Sequence, residues 1–416
     1  MTAPAAVPQE PLRILVAHNR YRQSGGEDAV FHAEVALLRA HGHRVEELFL
    51  DNREITTAQL PVLAARAVWS RPSFHLLSRT LRGGGFDVAH FHNTFPLLSP
   101  SVYSAAHRAG VAVVQTLHNY RLACPAATLL RDGRPCEDCL GRAVAWPAVL
   151  HGCYRGRAVT SVVAGMLAVH RAAGTWAREV DAYIALTEFG RRVLVRAGLP
   201  EDRVLVKPNC LSADPGEGPH DGGYALFVGR IDASKGIEPL VAAWRELGGR
   251  IPLRVAGAGP DQHLLRDLPP GVEWLGPQER GGVLELMRHA SALVVPSVWY
   301  EGFPVTIAEA FATGLPVLGS RIGAIEAIVD DGVTGALFEP GSPAALAAAV
   351  RAAFADPRRL RAMGAAARQA FLERYTPEQN HRMLMEIYHA ARARFAARQA
   401  APGHARRGAR TDPALR

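Results

Sequence analysis

Short apolar runs alternate along the chain with longer stretches whose apolar positions recur at helical spacing. The runs 12–18, 44–51, 86–92, 111–117 and 181–186 read as strands, and Phe31, Val35 and Leu38 mark a helix over 27–41 between the first two. A second series follows at 224–230, 252–257, 271–276, 292–297 and 315–320, with Leu240, Ala243, Trp244 and Leu247 on one helical face after its first strand. Strands alternating with helices predict parallel sheets covered on both faces. Between the series lies a polar, Pro/Gly-rich stretch, 207–219, which reads as a linker. The pattern therefore predicts two doubly wound domains facing a central cleft, one over 11–207 and one over 208–375. A helical segment follows over 376–395, and 1–10 and 396–416 fall outside both domains as disordered ends.

Composition changes this picture little. A length of 416 residues suits two domains, and 48% hydrophobic with 21% charged residues excludes a wholly disordered chain. The longest uncharged apolar run, Ala158 to Val169, has 12 residues, against about 20 for a bilayer span. The first residues lack the basic-then-apolar order of a secretory leader, so the expected location is cytoplasmic.

Charge is unevenly spread. Residues 1–208 hold 24 basic and 17 acidic side chains, a balance of 24 − 17 = +7, whereas 209–416 hold 23 and 22, or +1. A basic first half suits an anionic membrane surface or a phosphorylated substrate. Trp69, Arg71, Phe74, Leu77, Arg79 and Arg82 alternate apolar and basic groups near one predicted helix, which would lie on such a membrane. Nucleic acid is a poor partner, because aromatics make up only 7% and no stacking platform or recognition motif is visible.

Candidate chemistry gathers at predicted strand ends. Gly229-Arg230-Ile-Asp-Ala-Ser-Lys235-Gly leads from a strand into a helix, where exposed N–H groups and two cations would hold an anion. The chain contains two lysines, Lys207 and Lys235, so a lysine at this turn suggests that a compact point charge is needed. Glu301-Gly302-Phe303-Pro304 precedes a helix that carries Glu309, with Pro304 expected at the first helical position. The two carboxylates would grip separate hydroxyl-bearing groups, with the Gly302 and Phe303 amides between them. Gly25-Gly26 is a second phosphate-facing turn, and His118, ending a strand, would reach the cleft as hydrogen-bond donor or acid/base, with His92 a secondary candidate. Cys124, Cys136, Cys139 and Cys153 fall within one Pro/Gly/Arg-rich insert over 120–155. That spacing suits a structural zinc site, an iron–sulfur cluster or simply reduced thiols.

Taken together, FVGRIDASKG (227–236), VPSVWYEGFPVTIAEAFATGLPVLGS (295–320) and DDGVTGALFEPG (330–341) resemble the retaining glycosyltransferases of family 4. The resemblance runs over 11–395 and implies the GT-B arrangement of two Rossmann-like domains. It implies a nucleotide-sugar donor, a glycan or lipid-linked acceptor and no metal in catalysis. Arg230 and Lys235 would bind the donor diphosphate, Glu301 the sugar hydroxyls and Glu309 the ribose. Gly25 and Gly26 would close on the diphosphate, and His118 would lie beside the sugar. Arg280, in the loop from Gly276, would contact the base, for which UDP is the first choice. The four-cysteine insert departs from the family pattern. A nucleotide-sugar epimerase or a phosphorylase is the rival within this architecture, and a basic nucleic-acid-binding protein the rival outside it.

Overall fold

A computed structural model describes residues 10–20, 26–54 and 60–401. The predicted ends 1–9 and 402–416, and Gly25, lie outside the described residues. The first sheet contains β1 (Arg13–Arg20), β2 (Arg44–Asp51), β3 (Val88–Phe91) and β4 (Ala112–Leu117). A small hairpin, β5 (Leu130–Arg131) and β6 (Arg134–Pro135), intervenes before β7 (Ala182–Ala185) and β8 (Val204–Val206) complete the sheet. The second sheet contains β9 (Ala225–Val228), β10 (Leu253–Ala256), β11 (Val272–Gly276), β12 (Ala292–Val295), β13 (Val317–Ser320) and β14 (Gly335–Phe338).

The orders are β2-β1-β3-β4-β7-β8 and β11-β10-β9-β12-β13-β14. Every pairing within the two sheets is parallel. This is the predicted pair of doubly wound sheets, with two strands added. The two added strands are β8 and β14, three and four residues long. In each sheet the chain winds outward from its first strand in both directions. Such a reversal leaves a crevice at the strand C-terminal ends, between β1 and β3 and between β9 and β12.

The helix Pro377–Ala400 begins on the second domain's side of the chain but packs on the first sheet. Leu384, Met385, Ile387, Tyr388, Ala391 and Phe395 are buried in one cluster with Leu12, Ile14, Val16, Val88 and Val114. It extends past the predicted 395, and Arg392–Asp87 and Arg398–Asp181, each 2.9 Å, tie its last turns to the first domain. The stretch after Val206 is not merely a solvated linker, because Lys207 and Asn209 are buried. Among the described residues, no helix is long and apolar enough to cross a membrane.

Candidate active site

Most of the candidate side chains sit on turns that follow strand C-terminal ends, with Glu309 and Arg280 on the helices that come next. After β9 the chain forms a one-turn helix, Ala233–Lys235, whose Asp232 cap accepts from the Lys235 N–H. Gly236 follows at φ +72°, and a Cβ there would lie 1.9 Å from the Pro296 carbonyl oxygen. Only glycine allows this turn to pack on the end of β12. The Lys235 ammonium consequently reaches Glu301, 2.7 and 2.8 Å from its two carboxylate oxygens. Ser297 donates to the same carboxylate at 2.6 Å, and the Trp299 ring lies 6.0 Å from the ammonium. Arg230 points outward with two thirds of its side chain exposed and pairs with Asp232.

The helix Val305–Thr313 starts one residue later than the sequence predicts, with Pro304 at the N-cap and no side chain capping it. Its first N–H groups and its positive dipole end therefore remain available to an anion. Glu309 is buried four residues into this helix, and burial raises its pKa although Arg280, 3.6 Å away, opposes the shift. Phe303 turns from the loop toward the second domain's core, its ring centroid 6.0 Å from that of Tyr375 and tilted by 54°.

The first domain meets this loop directly. A Cβ on Gly302 would lie 2.4 Å from the His118 carbonyl oxygen, so the two backbones touch. Tyr120 adds an interdomain hydrogen bond, its hydroxyl donating to the Glu301 carbonyl at 2.9 Å. The structure thus brings the His118 backbone, Lys235, Glu301 and Gly302 to one place, while Gly229 directly follows β9 and Glu309 lies further along the helix beside Arg280. Gly26 opens the first helix, and Glu27 beside it accepts from Asn119 at 3.0 Å.

The four insert cysteines are free thiols in neighbouring positions, Cys124 and Cys139 buried. Among the described residues, however, no three of their sulfurs lie within 4.8 Å of one another. The group that does converge is Glu34, His90 and His92. Its ligand atoms already have partners, since Glu34 Oε2 accepts from the Lys207 ammonium at 2.9 Å and Oε1 lies 3.0 and 3.1 Å from the two imidazoles. A lysine holds the place of a cation there.

The family model described as Glycosyl transferases group 1 matches residues 214–370. Glycogen synthase of Mycobacterium tuberculosis is 35% identical over 153 residues, 35% of this chain and 37% of that protein, so the chain spans well under half of this relative. D-inositol 3-phosphate glycosyltransferase 1 of Catenulispora acidiphila is 30% identical over 309 residues, covering 69% of this chain and 68% of that protein. The chain belongs to the group 1 glycosyltransferases. Among solved structures, sucrose-phosphate synthase from Thermosynechococcus elongatus superposes with a TM-score of 0.65 at 18% identity, over 92% of this chain and all of that one. The GT-B fold is therefore shared where sequence likeness has largely gone.

Two features of this glycosyltransferase were not visible in its sequence. Tyr120 lies in the insert and carries no motif. Glu34 and Lys207 lie 173 residues apart, and only the fold joins them. Burial disfavours ionisation of Glu34, but Lys207, His90 and His92 outweigh it and hold the carboxyl well below its usual range. Burial pushes His92 down to about 4, against the pull of Glu34.

Both groups bind fewer protons folded than unfolded, so acid must destabilise the first domain. The His92 contribution is lost as pH falls from the ordinary histidine value of about 6.5 toward its folded value of about 4, and the Glu34 contribution is lost below the ordinary carboxylate value of about 4.3. Thermal melts between pH 8 and pH 4 should show stability falling most steeply below about 6.5, and His92→Phe should flatten that fall. A melting temperature independent of pH in this window would contradict the buried arrangement.

Proposed function

We propose that this glycosyltransferase moves a sugar from a nucleotide-sugar donor, UDP-linked in the first instance, to a glycan or lipid-linked acceptor with retention at the anomeric carbon. The observation that carries this reading is the Lys235–Glu301 pair at the mouth of an uncapped helix, facing the His118 backbone across the domain boundary. Breaking the bond from anomeric carbon to phosphate leaves positive charge on the sugar and negative charge on the diphosphate. Lys235 and the free N–H groups of Val305–Thr313 would stabilise the second charge, joined by Arg230 once it leaves Asp232 and swings in from solvent. Glu301 would take sugar hydroxyls while holding Lys235, and Glu309 would take the ribose, with Arg280 near the base. Retention follows from the family resemblance, as does catalysis without a metal.

The acceptor side suits the cytoplasmic face of an anionic membrane. Leu77 is buried and Phe74 packs on the core, so the helix Arg71–Leu81 contributes mainly arginines rather than an apolar face. The apolar groups come from Trp69, Val144, Trp146, Leu150 and Val169, all exposed, on segments that pack around the helix Arg157–Ala172. Residues 60–86 and 139–178 contain nine arginines and no Asp or Glu. Exposed Trp and Arg side by side, such as Trp146 with Arg142 at 5.3 Å, match an anionic interface. The four cysteines of the same insert would hold one structural zinc after their side chains rotate together. In support, they share a segment whose only strands are two residues long, with little core of its own.

Single-variant kinetics test the cleft. Lys235→Ala should lower turnover on the order of 10²–10³, and Glu301→Ala should do the same because it also releases Lys235. Glu309→Ala should act chiefly on the Michaelis constant, since ribose hydroxyls gain no charge in the transition state. Parent-like kinetics and nucleotide binding in all three would overturn the reading. For the membrane surface, vesicle sedimentation should show binding to anionic but not neutral vesicles, weakened by salt and by Trp146→Ser with Arg142→Ser. Equal binding to both vesicle types counts against it. For the insert, purified protein should carry about one zinc per chain, and Cys136→Ser with Cys139→Ser should abolish it. Metal-free protein with an unchanged melting temperature would end the zinc assignment.

A further inference from the structure

A continuous chain of buried side chains runs from His118 into the interior. His118 Nε2 lies 2.9 Å from His92 Nδ1, and the two rings stack with centroids 5.1 Å apart. His92 Nε2 lies 3.1 Å from Glu34 Oε1. Glu34 Oε2 accepts from Lys207, which also donates to Asn380 Oδ1 at 3.0 Å. His90 flanks the same carboxylate, with Tyr388 2.8 Å from its Nδ1 and Thr116 2.7 Å from its Nε2. The members come from the first helix, β3, the turn after β4, the interdomain stretch and the helix Pro377–Ala400.

Such a chain assigns its protons by elimination. Glu34 is paired with an ammonium and can only accept, so His92 must present Nε2–H to it. A neutral imidazole carrying its proton on Nε2 has a lone pair on Nδ1, and that lone pair can only accept. His118 must therefore donate from Nε2, which leaves its own Nδ1 as a lone pair. Among the described residues that Nδ1 has no hydrogen-bond partner, and the ring lines a small pocket with Glu27, Asn119 and Arg121.

We infer that Glu34 and His92 are positioning residues that lock His118 in its Nε2–H tautomer, so that its Nδ1 accepts a hydroxyl of the transferred sugar. The sugar contact rests on the function proposed above; the tautomer does not. The arrangement makes the histidine an acceptor only. It would favour a sugar bearing a free hydroxyl at that position over a deoxy or O-methyl analogue, either of which leaves the lone pair without a donor.

The test separates the two layers. In the full chain with ¹⁵N-labelled histidine, the His118 signals are identified by their loss in His118→Gln. Nε2 should resonate as a protonated nitrogen and Nδ1 as an unprotonated one, in the free protein at neutral pH. In His92→Phe, which keeps the ring but removes the acceptor, the two nitrogens should shift toward averaged values. Turnover should fall roughly two- to tenfold with nucleotide affinity unchanged. Glu34→Gln should produce the same averaging where it folds; His92→Phe suffices where it does not. An Nδ1–H tautomer in the parent, or an unchanged signature in His92→Phe, would overturn the inference. The expected signature with unaltered turnover in His92→Phe would uphold the tautomer lock and overturn the sugar-facing role of His118.

Discussion

The molecule is organised around a buried negative charge. Glu34 has almost no contact with solvent, and an uncompensated carboxylate in such a place would cost several kcal/mol. It is compensated from three directions, by Lys207 after the last strand of the first sheet, by His90 and His92 at β3, and through Lys207 by Asn380 of the returning helix. Removing one partner of a buried pair of this kind typically costs about 3–5 kcal/mol. The carboxylate therefore fixes where the interdomain stretch leaves the first sheet and where the last helix lands on it. The orientation of the first domain's cleft edge follows from both.

From that anchor the cleft is built by close backbone approach. His118 directly follows β4, and its carbonyl meets Gly302 where any larger residue would collide. Tyr120 fastens the same loop through the Glu301 carbonyl. On the other side Gly236 lets the turn after β9 pack on Pro296, which sets the reach of Lys235 to Glu301. The functional side chains are held by contacts between loops of different strands. Strand ends at a reversal of winding order are where such loops can converge.

Both lysines of this arginine-rich chain end on glutamates, Lys207 on Glu34 and Lys235 on Glu301. A guanidinium is a wide planar fork, whereas an ammonium is a compact charge that fits a site walled by other side chains. Lys207 is the fully enclosed case and Lys235 the half-open one, with a quarter of its side chain exposed. The rarity of lysine thus marked two positions with related geometry and different uses, one in the interior and one at the cleft.

The sequence by itself determined the two sheets, because most of their strands are apolar runs bounded by turn residues, a signal local to each segment. It also marked the turns after β9 and β12, where Gly, Lys, Glu and Pro stand at set spacings. It was silent on β8 and β14, which are only partly buried and sit at the ends of the sheets, and on Tyr120, whose partner is 181 residues away. Phe74 and Leu77 read as one half of a surface stripe, yet burial takes them into the core, because alternation of apolar and basic groups does not say which face a helix turns inward. The Glu34–Lys207 pair was beyond local reading for the same reason. Hydrophobic periodicity reports which residues are buried, but which buried charges meet depends on how distant segments cross, and that only the tertiary structure decided.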